Sequence, residues 1–146
     1  MTPQERAEKA AEAMYAADKA SSSLGMEITY IAPGSATLTM RVADEMLNGH
    51  RICHGGYIFT LADSAFAFAC NSYNKLTVAQ QNQITYIAPG HAGELLTATA
   101  SETALGGRSG VYDVMVTGED GRTVATMRGL SRTIKGQLFP EDGEHV

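Results

Sequence analysis

At 146 residues the chain has the length of one domain, and 44% apolar against 18% charged residues is enough to build a core and excludes a disordered polymer. The formal charge is -5 and the basic residues are scattered, which excludes a nucleic-acid footprint. No apolar run approaches a membrane span, the polar start "MTPQERAEKAAEAMYAAD" is no secretory signal, and two cysteines seventeen positions apart form neither a disulfide framework nor a zinc set, so a reducing, cytoplasmic setting is expected.

Thr2 and Glu5 stand at capping-box spacing with Pro3 at the first helical position, and Ala7, Ala10, Ala11, Met14 and Ala17 repeat at helical spacing. A helix is predicted over 3–20, packing lightly through a stripe of small residues. Residues 26–32 meet the turn pair Pro33-Gly34, after which Ala36, Leu38, Met40 and Val42 alternate with polar residues. Period-2 alternation predicts a hairpin with one buried face. From residue 57 the pattern changes to "YIFTLADSAFAFACNS", with no alternation and no proline. This run is long enough for four helical turns, and Ala62, Ala65, Ala69 and Ser72 would let it approach a sheet closely. Four strands are predicted after Lys75, over about 77–88, 94–104, 109–117 and 122–134, separated by Pro89-Gly90, Gly106-Gly107 and Asp120-Gly121. The last twelve residues read as a frayed tail, giving one domain over 1–138 and a loose end over 139–146. Strands in series around one apolar helix define an α+β domain. The sheet covers one side of that helix, and a second subunit is the simplest cover for the other.

Asp63 sits in the middle of the apolar run. A helix-interior acid commonly faces solvent, but here its neighbours are almost all apolar or small. An unpaired buried carboxylate needs hydrogen bonds, a raised pKa or a use. Gly55-Gly56 stands where the helix begins, and could be a plain turn. It also marks free backbone N–H groups and a partial positive charge, with no side chain to keep a ligand away, which suits a carbonyl gaining negative charge. Gly55 and Asp63 are eight residues apart, about 12 Å at roughly 1.5 Å per residue. Reacting groups must converge on one atom. Two such helices running antiparallel across a two-fold axis would bring Gly55 of one chain near Asp63 of the other. The spacing therefore predicts a site at a dimer interface, two per dimer.

His50, Cys53 and His54 suggest other chemistry less well. Zinc or haem lacks the further ligands, so no metal and no cofactor are expected. A nucleophilic Cys53 needs a base, and adjacent side chains on an extended segment point opposite ways, so Cys53 reads better as a small buried group. His54 reads as a loop-shaping or carbonyl-facing group. Asn48 reads either as part of an Asn-Gly turn or as a hydrogen-bonding group in the site.

These residues, "LNGHRICHGGYIFTLADSAFAFACNS" followed by "ITYIAPGHAGELLTATA" and "GRSGVYDVMV…GRTVATMRG", resemble the hotdog-fold thioesterases, in particular the phenylacetic acid degradation (PaaI) type of acyl-CoA thioesterase. The likeness runs over roughly residues 12–135. It implies a curved sheet wrapped round the central helix, chains paired into dimers and then tetramers, and hydrolysis of an acyl-CoA thioester, with phenylacetyl- or hydroxyphenylacetyl-CoA the expected substrates. By resemblance Asp63 is the catalytic carboxylate, as general base or nucleophile, and Gly55 lends its N–H to the carbonyl. His54 and Asn48 shape the site. Gly56 and Gln81 are expected at the substrate, and Arg108 near a CoA phosphate, although Arg108 could equally be a solvated loop residue. Relatives with a basic residue before the Pro-Gly have Ala88 as their counterpart here, and Ala79 stands where some carry a serine. A hotdog dehydratase acting through His54 and Asp63, and a non-catalytic acyl-CoA binder, are the competing readings.

Overall fold

A computed structural model describes residues 1–141. Helix α1 spans Pro3–Ala17, and its Thr2 cap is the predicted capping box, with Glu5 N–H donating to Thr2 Oγ1 at 3.0 Å and Thr2 N–H donating to Glu5 Oε1 at 2.9 Å. The single helix expected over 3–20 is broken at Asp18. That side chain accepts from Ser21 N–H at 2.9 Å and starts a second short helix, α2, Lys19–Ser23. Polar caps compete with the helical ladder, so a short acidic residue ends one helix and begins another.

Strands β1 (Glu27–Ala32) and β2 (Ser35–Arg41) form the expected hairpin, and β2 buries Ala36, Leu38 and Met40 in alternation. Gly34 is obligatory at the turn because its φ is +74° and a Cβ there would lie 2.8 Å from Glu102. After a 3₁₀ turn at Asp44–Met46, helix α3 runs from Gly55 to Cys70. Strands β3 (Thr77–Tyr86), β4 (Leu95–Gly106), β5 (Ser109–Thr117) and β6 (Thr123–Thr133) follow. The six strands form one sheet in the order β1-β2-β4-β5-β6-β3, with every pairing antiparallel.

The sheet folds about α3, which packs on β2, β3, β4, β5 and β6. Ala62, Ala65 and Ala69 are wholly buried against Leu38, Leu96, Ala98 and Ala100. Small residues on both surfaces set this close approach. A Cβ at Gly129 on β6 would lie 2.8 Å from the Phe66 ring, so glycine is what admits that ring. The other side of α3 is not covered by the described residues. Gly56 is exposed, and Thr60, Asp63 and Ala67, on the same helical stripe, are only half-buried. Edge strand β3 is open too, with Val78, Tyr86 and the following Ile87 at 44%, 49% and 59% exposure.

The C-terminal segment departs from the frayed tail expected from residue 135. Asn74, fully buried at φ 59°, accepts from the N–H groups of Leu138 and Phe139 and donates to Phe139 O, and Arg6 forms a two-pronged pair with Glu141. The chain is thus anchored through Glu141, and 142–146 of the expected loose end lie outside the described residues.

Candidate active site

The loop leading into α3 is fixed before the helix begins. Asn48 Oδ1 accepts from His50 N–H at 2.9 Å, Asn48 N–H donates to Ile52 O at 2.9 Å, and the turn closes with Arg51 at φ 63°. Cys53 N–H then donates to Gly90 O and His54 N–H to Met46 O, at 2.9 and 2.8 Å. Asn48 therefore uses its side-chain oxygen to shape this loop.

His54 is the N-cap of α3. Its Nδ1 accepts the Gly56 N–H at 2.9 Å, which requires that nitrogen to be unprotonated. Helix starts leave free N–H groups, and His54 consumes one of them. The Gly55 N–H has no acceptor among the described residues. Tyr86 on β3 donates its hydroxyl to Gly55 O at 2.9 Å, and its ring lies where a residue-55 Cβ would sit, 3.0 Å from Cζ. Gly55 thus carries a free amide at the positive end of α3, held from behind by a tyrosine.

Asp63 lies two turns further along, on the uncovered stripe. It is half-buried rather than wholly enclosed, and Asn82 Nδ2 on β3 donates to its Oδ1 at 2.8 Å. Burial pushes its carboxyl above the ordinary aspartate value, and the Asn82 bond draws it partly back. Asn82 Oδ1 is itself buried with no hydrogen-bond partner among the described residues. The sequence pattern does not point to Asn82. Within the polar run Gln80–Gln83, a register shift between Ala79 and Gln81 resets the alternation, so Asn82 and Ile84 are half-buried while Gln81 and Gln83 are exposed.

Gln81 therefore stands on the exposed side of the edge strand, away from Asp63. Arg108 is at the tip of the β4–β5 hairpin, after Gly107 at φ 60°, and lines a cavity of about 940 Å³ with Cys70, Tyr73, Tyr112 and Ser131. Cys53 and Cys70 are both free and buried, and burial pushes their thiols up to about 11 and about 12. Neither is a thiolate near neutral pH, which disfavours a cysteine nucleophile. Among the described residues no three His, Cys, Asp or Glu side chains gather as a metal site, and no helix is long and apolar enough to cross a membrane.

A sheet curled round one long helix, with a carboxylate on that helix and a free amide at its start, is a hotdog arrangement. The chain belongs to the thioesterase superfamily, whose family model matches residues 50–125, the stretch that holds Gly55 and Asp63. Within that superfamily it is of the PaaI type. The acyl-coenzyme A thioesterase PaaI of Escherichia coli (strain K12) is 45% identical over 131 residues, covering 90% of this chain and 94% of that protein. The structure of the E. coli PaaI protein from the phenylacetic acid degradation operon matches with a TM-score of 0.92 and 43% identity, over 93% of this chain and 99% of that one. A variant of the phenylacetic acid degradation protein PaaI from Thermus thermophilus matches with a TM-score of 0.77 and 35% identity, over 80% and 100% of the two chains. A hypothetical thioesterase with coenzyme A from Streptococcus pneumoniae TIGR4 matches with a TM-score of 0.74 and 28% identity, over 77% and 88%.

Proposed function

We propose that this thioesterase hydrolyses acyl-CoA esters of the phenylacetyl or hydroxyphenylacetyl type, at two sites formed across a homodimer. Asp63 of one protomer acts as general base for water or as nucleophile. The partner subunit's Gly55 donates its N–H to the thioester carbonyl. The observation that carries this reading is the placement of both groups on the part of α3 that this chain leaves open, about 12 Å apart along one helix. One chain cannot aim both at one carbon, and an antiparallel pair of helices can. The exposed edge of β3 supports a second copy as the cover, because an unpaired edge is a template for another strand.

The reaction needs little else. Water attacks the carbonyl carbon, charge collects on the oxygen beside the Gly55 amide, and the C–S bond breaks. A thiolate leaves readily, so no second acid is required, and the proton taken by Asp63 returns to it. His54 and Asn48 act by fixing the loop and reserving the Gly55 amide. Gly56 contributes by holding the His54 cap, since a Cβ there would lie 3.2 Å from Nδ1. Gln81 on the edge strand and Arg108 on its hairpin are assigned to substrate, Arg108 to a CoA phosphate. The dimer of dimers and the cytoplasmic setting are proposed from likeness to the PaaI type and from the two free cysteines.

The test is release of free thiol from a panel of acyl-CoAs spanning short aliphatic, long aliphatic and arylacetyl groups. The arylacetyl esters should give the highest kcat/KM. Tight binding of acyl-CoA without thiol release would overturn the hydrolase, and water addition to an enoyl-CoA without thiol release would make the chain a hydratase.

A further inference from the structure

Asn82 joins Asp63 to the sheet, and only half of its amide is used. Its Nδ2 donates to Asp63 Oδ1 at 2.8 Å, while its Oδ1 is buried and meets no donor among the described residues. The orientation is fixed by chemistry. An ionised carboxylate only accepts, so the NH₂ must face Asp63 and the oxygen must face away. A buried acceptor left without a donor costs about 1–3 kcal/mol. The chain could remove that cost with an apolar residue, as it does two positions on at Ile84, which shares the inward face of β3.

Resting on the Asp63 reading above, we propose that Asn82 is a positioning residue for the hydrolytic step. Its Nδ2 holds one carboxylate oxygen, which leaves the other free to take a proton. The rigid amide thus fixes the direction in which the carboxylate meets the attacking water. In the step itself the water oxygen bonds to the thioester carbon, one water proton passes to Asp63, the C–S bond breaks, and the thiolate then receives that proton. In the nucleophile form of the mechanism the same water attacks the acyl-Asp63 anhydride. The amide is well placed for this task. Asn82 is paired in register with Gly129 on β6, and Gly129 is packed under Phe66 of α3, so strand and helix are held against each other beside the Asn82–Asp63 bond.

The experiment compares Asn82→Leu and Asn82→Ala, each in the wild-type chain and in Asp63→Asn, by steady-state hydrolysis of one good acyl-CoA. Thermal unfolding and sizing confirm folded, associated protein. Loss of orientation should lower kcat roughly tenfold to a hundredfold with KM within about threefold. In the Asp63→Asn background the same changes should alter the residual rate less than about twofold, because the group they act through is gone. Three results overturn the inference: unchanged kcat in both Asn82 variants while Asp63→Asn is inactive; a raised KM at unchanged kcat; or an equal loss of kcat with and without Asp63. Full activity of Asp63→Asn would overturn the Asp63 reading and this inference with it.

Discussion

The free amide of Gly55 can be deleted with unusual selectivity, because proline fits the first position of a helix. The residue before it must then be extended, and His54 already is, at φ -60° and ψ 135°. Gly55→Pro therefore removes the N–H without asking the backbone to move. Both Gly55→Pro and Gly55→Ala add a Cβ, which would meet the Tyr86 ring at 3.0–3.2 Å. Tyr86 is 49% exposed and can yield by a few tenths of an ångström, so the shared steric penalty is about 1 kcal/mol of stability. The alanine variant keeps the amide and controls for that contact. Loss of one oxyanion donor costs about 10²–10³ in kcat, or about 2.7–4 kcal/mol of transition-state stabilisation. In a free-thiol assay with saturating acyl-CoA, Gly55→Pro should fall below Gly55→Ala by that factor, with unfolding temperatures within a few degrees of each other. Equal kcat in the two variants would refute the role of the Gly55 N–H.

Asp63→Asn should lower turnover by about 10²–10⁴ and also stabilise the fold near neutral pH. Burial raises the folded-state pKa above 3.8, so the folded chain prefers the proton; the penalty is absent in acid and sets in as pH rises through the raised value. The gain in unfolding temperature should thus be small near about pH 3.5 and larger at about pH 7. Glu94→Gln should destabilise by about 1–3 kcal/mol at neutral pH without changing KM, since Glu94 takes two bonds from Arg122 and one each from the His91 and Glu119 N–H groups. That carboxyl is held at about 2 chiefly by Arg122, so its contribution is present above its ordinary 4.5 and lost as pH falls through about 2, and denaturant titrations should show wild type and variant converging in acid. Arg108→Ala should raise KM for an acyl-CoA roughly threefold to thirtyfold at unchanged kcat, and leave untouched the KM of a short thioester lacking the nucleotide.

The sequence made α3 and the β2 face legible because each has a clear pattern: an almost wholly apolar run for the helix, strict alternation for the strand. It made Asp63 legible for the same reason, as a charge out of pattern. What stayed hidden depended on partners distant in sequence or on a local break of register. The shift between Ala79 and Gln81 reverses which residues of a polar run face inward, and it turns attention from Gln81 to Asn82. Asp18 splits the first helix by capping Ser21. Asn74, sixty-odd residues before the C-terminal segment, holds it in place through bonds that no local composition announces. The reservation of the Gly55 amide by a His54 cap likewise lies outside the sequence pattern, although position alone singles out His54.

The central claim is that one site is built from Asp63 of one chain and the partner subunit's Gly55. It is tested by mixing two inactive variants, Asp63→Asn and Gly55→Pro, and allowing subunits to exchange. Half of the randomly paired dimers are then hybrids, and each hybrid holds one intact site of two, so about a quarter of wild-type activity should return. If each site lay within a single chain, every subunit would still carry a lesion, and the mixture would stay as inactive as its parts.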